Sequence, residues 1–522
     1  MTFKRSSGIL LHPSSLPGPY GVGDLGPQAY RFVDWLSSTG CKLWQVLPLG
    51  PTGYGDSPYQ CFSAFAGNPY LLSPDVLLAD GLLTPADLDS LRDLPASHVD
   101  FGQLIPRKLA LLQKAFDNFR ASPENLRGDF DYFCADAERA SWLDDYTLFM
   151  ALKEANGGGA WNGWDDPLRS RKKTALRKAQ KELAETIQRH AFYQFLFFRQ
   201  WEKLRKYANE RGIQIIGDLP IFVSNDSADV WAHPDLFFMD KAGNPTVVAG
   251  VPPDFFSEHG QLWGNPLYNW KAHKKDGYTW WLSRVRASLK IFDILRFDHF
   301  RGFAGYYEIP AGHPTAEFGR WVPGPGADLF HVIDKDLGNG LLTPGTGLPF
   351  IAEDLGVITP DVVELLNAFN LPGMKVLQFG FSGPDNPFLP HNYVPNCVAY
   401  TGTHDNDTAM GWFASAPQHE REFAQRYLRA DGGDFAWDLI RAVWGSVADI
   451  VITPMQDVLS CGGEARMNFP SRLGGNWSWR MKDEDINDHF AGKLRELNWM
   501  YLRFTTGQDE NHQAANLGTR QG

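Results

Sequence analysis

The sequence predicts a closed (β/α)8 barrel with large insertions in the loops at the strand C-termini. Three observations carry this. Eight short apolar runs lack the alternation of a half-exposed strand and end in polar, Gly or Pro residues, as buried parallel strands do. Helical patterns separate most of them, and strand–helix alternation repeated eight times suits a sheet closed on itself. No GxGxxG or GxxxxGK(S/T) motif follows a strand, so the rival architecture, a doubly wound open sheet, lacks a nucleotide crevice.

The runs fall at 8–11, 43–47, 214–221, 292–297, 350–352, 375–379, 397–400 and 449–453. Apolar residues at helical spacing mark 29–38, 187–211, 279–289, 361–370, 418–427 and 438–444. The gaps are uneven. The whole chain, 1–522, reads as one catalytic barrel with three insertions: 53–211 after the second strand, 224–290 after the third and 302–349 after the fourth. The second carries a lid loop at 250–266, rich in aromatics and punctuated by Gly and Pro. Barrel enzymes work at the C-terminal rim, so insertions there wall a groove. The basic stretch 169–181 reads as a solvated helix face, and 507–522 as a frayed tail.

Composition narrows the function. Of 522 residues, 43% are hydrophobic and 21% charged, enough to bury a large core and to exclude disorder as the main state. Lys and Arg number 49 against 61 Asp and Glu, a net charge of −12 that disfavours nucleic acid and anionic membranes as partners. Aromatics make up 14%, including 18 Trp, and suit ligands with apolar faces such as bases or sugar rings. Cys41, Cys61, Cys134, Cys397 and Cys461 scatter without a CxxC or Cys/His cluster, which speaks against a disulfide framework or structural zinc. The first apolar run is too short for a secretory signal, and no stretch of about 18 uncharged apolar residues exists. A cytoplasmic monomer without metal or cofactor is expected.

Three strands end in carboxylates with polar neighbours. The fourth ends ILRFDHFRG, giving Arg296, Asp298, His299 and Arg301; the fifth ends FIAEDLG, giving Glu353 and Asp354; the seventh ends VAYTGTHDNDT, giving His404, Asp405 and Asp407. Charges delivered by apolar strands need a partner or a task. Glycosidic bond chemistry suits the set: a retaining mechanism uses two carboxyls about 5–5.5 Å apart, and adjacent parallel strands lie about 4.8 Å apart. Arg296, two residues before Asp298, shares its strand face and is expected to lower the Asp298 pKa. Glu353 would retain its proton near neutral pH. Structural ion pairing at strand ends is the bland alternative for each carboxylate. His299, Asp354 and Asp407 read as supporting groups.

In these blocks the chain resembles the amylomaltases, the 4-α-glucanotransferases of glycoside hydrolase family 77, also called disproportionating enzymes. The resemblance runs from GILLHPSSLPGPYGVGDLG to EARMNFPSRLGGNWSWR, through WQVLPLGPTGYGDSPYQ, GDLPIFV, PPDFFSEHGQLWGNPLY, RFDHFRG, IAEDLG and YTGTHDNDT. It implies the barrel of the α-amylase clan, with Asp298 as nucleophile, Glu353 as general acid/base and Asp405 as transition-state stabiliser. Arg296 and His404 match the residues assisting nucleophile and stabiliser. Asp218 matches the structurally important aspartate after the third strand. The resemblance further assigns Asp254, Gln261 and Trp263 to a mobile loop over the glucan, Tyr59 to stacking at the cleavage point, and Ser57 and Asn468 to further glucan contacts. Tyr54 and Phe101 resemble a remote glucan-binding pair, the second being Tyr in some relatives. Ser471 stands where relatives often have Gly. The implied partners are α-1,4-glucans, maltooligosaccharides and glucose. An α-1,4-glucan hydrolase and a catalytically inert glucan-binding protein are the competing functions.

Overall fold

In the computed structural model, which describes residues 3–122, 126–253, 258–338, 347–470, 472 and 474–504, twelve strands follow in chain order. They are β1 (Ser6–Leu10), β2 (Leu43–Gln45), β3 (Gln214–Pro220), β4 (Val247–Val251), β5 (Gln261–Pro266), β6 (Ile294–Asp298), β7 (Gly305–Pro310), β8 (Arg320–Pro323), β9 (Phe350–Ala352), β10 (Gly373–Val376), β11 (Cys397–Tyr400) and β12 (Ile450–Pro454). Eight form one parallel sheet in the order β10-β11-β12-β1-β2-β3-β6-β9. Neighbours in this sheet are successive barrel strands in the chain, the signature of a (β/α)8 fold. The ends meet where the Ala352 N–H donates to the Pro372 carbonyl (3.0 Å) and the Met374 N–H to the Asp354 carboxylate (2.6 Å).

The strands match the expected runs with small shifts. The sixth is Gly373–Val376, two residues earlier than its apolar run, because Leu377–Phe379 continues as a 3-10 turn. β3 extends to Pro220, so Asp218 lies inside the strand and not after it.

Alternation sorts the strand residues into two cores. Leu10, Leu43, Ile216, Ile294, Ile351, Val376, Val398 and Ile450 form one cluster. Their alternates Ile9, Trp44, Ile215, Leu295, Phe350, Ala399 and Val451 join a second, larger cluster with the surrounding helices. The first set is the barrel interior. Asp218, Arg296, Asp298 and Glu353 each lie an even number of residues beyond Ile216, Ile294 and Ile351, so the pleat carries them toward the same interior at its C-terminal end.

The first insertion is helical. Its longest element, Ala184–Glu210, buries apolar residues on several faces, as a helix enclosed by neighbours must. Trp201 packs toward Trp44 and Phe292 at the barrel, while Phe192 stacks on Phe119 (4.3 Å between rings) from the helix Phe101–Ala121. The second and third insertions share one antiparallel sheet, β5-β4-β7-β8. The expected lid loop is strand at both ends: β4 reaches Val251 and β5 spans Gln261–Pro266, and the two pair antiparallel. Asp254, Ser471 and the 507–522 tail lie outside the described residues. Among the described residues, no helix is long and apolar enough to cross a membrane.

Asn498 stitches the chain ends together. It is fully buried, and its Oδ1 accepts from the Ser7 hydroxyl (2.5 Å) and Trp444 Nε1–H (2.8 Å) while Nδ2 donates to the Thr39 carbonyl (2.9 Å). Asn498→Ala strands these buried partners, at a cost of about 2–4 kcal/mol. The expected result is a lower urea midpoint with unchanged turnover at 25 °C; an unchanged midpoint would contradict this role.

Candidate active site

The site begins with an arginine inside the barrel mouth. β3 and β6 pair so that Asp218 stands beside Arg296 and Pro220 beside Asp298. Arg296 Nη1 donates to both Asp218 oxygens (2.8 and 2.7 Å) and to Asp298 Oδ1 (3.1 Å). The Arg296 side chain is 4% exposed and that of Asp218 0%. Burial alone would lower the Arg296 pKa, but Asp218, Asp298, Tyr59 and Glu353 reverse this and hold it well above its ordinary value. Arg296 is thus a fixed positive charge serving two carboxylates.

Burial overturns one expectation. Burial pushes the Asp298 carboxyl well above the usual carboxylate range; Arg296 opposes this, while Asp218, Glu353 and Asp405 add to it. The pairing inferred from spacing exists and pulls the Asp298 pKa down, but burial outweighs it, and the nearby carboxylates Asp218, Glu353 and Asp405 add to the rise.

Glu353 follows β9, and the β6–β9 register brings Phe297 opposite Ala352. The Glu353 N–H donates to the Phe297 carbonyl and the Phe300 N–H to the Glu353 carbonyl, each at 3.0 Å. Asp298 and Glu353 thus leave adjacent strands at the same level. The chain turns sharply after Asp298: His299 has φ 53°, a left-handed conformation costing about 1–2 kcal/mol for an ordinary residue. Its N–H donates to Glu353 Oε2 (2.7 Å), and the Leu355 N–H donates to Oε1 (2.7 Å). Burial raises the Glu353 pKa against the pull of Arg296 and these two amides. Burial pushes both carboxyls upward, with the Glu353 charge adding to the rise at Asp298 and the Asp354 charge to that at Glu353.

Tyr59 arrives from the loop after β2. Its hydroxyl donates to Asp218 Oδ2 (2.7 Å), and its ring stacks on His404 (5.2 Å, 16°). Burial and the Asp218 charge raise the Tyr59 pKa well above 10, keeping the phenol a donor. Ser57 Oγ accepts the Tyr59 N–H (3.2 Å), so it fixes this turn.

The opposite wall is built from loops. His404 Nε2 lies 3.3 Å from Asp405 Oδ2, and Asn468 Nδ2 donates to Asp405 Oδ1 (2.7 Å). Burial lowers the His404 pKa despite the Asp405 charge, so the imidazole is neutral at pH 7. Arg466 Nη2 donates to the Asp405 carbonyl (2.6 Å), and the Trp477 ring lies 5.7 Å from Tyr59 and 5.9 Å from His404. Neither Arg466 nor Trp477 was singled out by sequence reasoning. Both come from the segment after the last strand, where no strand pattern or carboxylate motif marks them.

The hairpin supplies Gln261 and Trp263. Trp263 Nε1–H donates to Gln261 Oε1 (3.1 Å), and its ring meets His299 edge-on (4.7 Å, 88°). Burial and Arg301 push the His299 pKa down to about 3. Tyr54 is 70% exposed on the turn Tyr54–Asp56, outside this hydrogen-bonded network. Phe101 is half-buried at the start of its helix. Among the described residues, no group of three or more His, Cys, Asp or Glu is placed to hold a metal ion.

The comparisons agree over almost the whole chain. A family model described as 4-alpha-glucanotransferase matches residues 11–486. The 4-alpha-glucanotransferase of Thermus thermophilus is 51% identical over 510 residues, covering 95% of this chain and 99% of the relative. The chloroplastic/amyloplastic enzyme of Solanum tuberosum is 45% identical over 509 residues, covering 96% and 87%. The amylomaltase of Streptococcus agalactiae, solved in complex with acarbose, superposes with TM-score 0.91 at 41% identity, covering 96% of this chain and all of that one. The amylomaltase of Corynebacterium glutamicum, at 18% identity and TM-score 0.74, shares the fold. With a barrel whose mouth collects these carboxylates and a match spanning nearly its full length, the chain belongs to the 4-alpha-glucanotransferase family.

Proposed function

We propose that this 4-alpha-glucanotransferase moves segments of α-1,4-glucan to the 4-hydroxyl of an acceptor glucan or glucose by a retaining double displacement. The observation that carries the reading is the placement of Asp298 and Glu353 at one level on adjacent parallel strands. Strand spacing of about 4.8 Å supports the short carboxyl separation that retaining chemistry uses.

Asp298 attacks the anomeric carbon while Glu353 protonates the departing glycosidic oxygen. The nucleophile works as its anion, and Arg296 is the group that stabilises that form. As the sugar gains positive charge, Asp405 stabilises it, held by Asn468 and flanked by neutral His404. A covalent β-glucosyl-enzyme forms. Glu353, now ionised, removes a proton from the acceptor 4-hydroxyl, whose oxygen displaces Asp298. Two inversions restore the α linkage.

Transfer in place of hydrolysis requires that sugar reach the intermediate before water. Trp263, packed on His299 beside the nucleophile, and Tyr59, stacked on His404, are the aromatic surfaces that support acceptor binding and water exclusion. The ligand class is consistent with the acarbose held by the Streptococcus agalactiae relative.

Incubation with maltotriose is expected to yield glucose and a ladder of longer maltodextrins. Glucose and maltose without elongation would indicate hydrolysis, and no change an inert binder. Asp298→Ala should lower turnover by at least about 10⁴-fold with the fold intact by circular dichroism; ordinary turnover would refute the nucleophile. The alkaline limb of kcat should reflect loss of the shared proton. Because burial raises both carboxyls, activity is present below that pKa and falls as pH rises through it. The limb should lie above the ordinary carboxylic range, and a limb inside that range would contradict the assignment.

A further inference from the structure

The carboxylate reading leaves β12 without a task, yet its end carries a buried acid. We propose that Asp457 is a positioning residue for the reaction: it pins both ends of the β11 loop, 401–409, and thereby sets where Asp405 and His404 stand over the sugar. The inference rests on the reading of Asp405 as stabiliser given above.

β12 runs directly into the short helix Met455–Val458. Asp457 is 1% exposed, and Thr401 and Thr453 are fully buried. Asp457 Oδ2 accepts from the Thr401 hydroxyl (2.6 Å), and Oδ1 accepts the Ala409 N–H (2.7 Å). Thr401 is the first residue past β11, and Ala409 is the first residue of the helix Ala409–Ser415. One carboxylate therefore closes the loop where it leaves the barrel and where it re-enters regular structure. A second bond links Thr401 Oγ1 to Thr453 Oγ1 (2.9 Å) at the end of β12 itself.

Between these pins the loop is tied internally. Asn406 Oδ1 accepts the N–H and the hydroxyl of Thr403, each at 2.9 Å, and Thr403 Oγ1 accepts the Asp405 N–H (3.3 Å). Such a unit moves as one piece, so its placement depends on how it is fastened to the barrel. Asp457, Asp407 of the β11 loop, His12, His404 and Arg466 line one pocket. A shift of about 1 Å in a catalytic group can cost about 100-fold in rate.

The test compares Asp457→Ala, Asp457→Asn and Thr401→Val with Asp405→Ala, on maltotriose and on α-glucosyl fluoride, whose departure needs no general acid. Asp457→Ala leaves the Thr401 hydroxyl and Ala409 N–H unpinned. Its kcat should fall about 10–100-fold with KM little changed, and equally on both donors, because the defect lies in stabilisation and not in Glu353. Asp457→Asn should recover most of this: its oxygen accepts from Ala409, its amide donates to Thr401, and the Thr401 hydroxyl turns to Thr453. Thr401→Val, which keeps the Ala409 bond, should show a smaller kcat loss and serves if Asp457→Ala fails to fold. Wild-type kcat in both Asp457→Ala and Thr401→Val, or a loss expressed in KM, overturns the positioning role. Wild-type turnover in Asp405→Ala overturns instead the stabiliser reading beneath it.

Discussion

The site depends on one buried guanidinium. Arg296 sits inside the barrel mouth with its charge divided between Asp218 and Asp298. A lone charge at that depth is costly, and removal of one partner leaves the other stranded, so the three residues stand or fall together. The arrangement also sets the proton count. Asp218, Asp298 and Glu353 share one neighbourhood with the Arg296 guanidinium, and the Asp405 charge acts on Asp298 as well. Burial and repulsion then favour keeping a proton on the Asp298–Glu353 pair, which a mechanism with one anion and one acid requires.

Much of this was legible in the sequence because strands are periodic. Once an apolar residue is placed inside the barrel, the pleat fixes the direction of every second residue, so Ile216, Ile294 and Ile351 announce Asp218, Arg296, Asp298 and Glu353. The loop-borne half follows no such rule. Asp405 and His404 lie past β11, and Asp405 takes its bonds from Asn468 and Arg466, more than sixty residues on. Resemblance supplied Asn468, while Arg466, Trp477 and the pinning Asp457 carried no local signal. The direction of the Asp298 pKa differs for a related reason: spacing along one strand shows Arg296 beside Asp298, but the burial that outweighs it, and the added charge of Asp218, come from neighbouring strands and loops.

The insertions make the same point at larger scale. A segment dense in Gly, Pro and aromatics reads as a loop, yet both ends of 250–266 are strand, because β4 pairs with β5 and with β7. The pairing joins two insertions that are separate in the chain, and Trp263 of β5 lies against His299, one residue from Asp298. The wall of the cleft is therefore tied by the shared sheet to the segment that follows Asp298.

The most direct test of the central claim is to trap the covalent intermediate. Glu353→Gln leaves Asp298 free to attack α-glucosyl fluoride but removes the base that activates the acceptor. Mass spectrometry of the intact protein, followed by peptide mapping, should find one glucosyl group, esterified to Asp298. An adduct on another residue, or brisk turnover with no adduct on any carboxylate, would contradict the account.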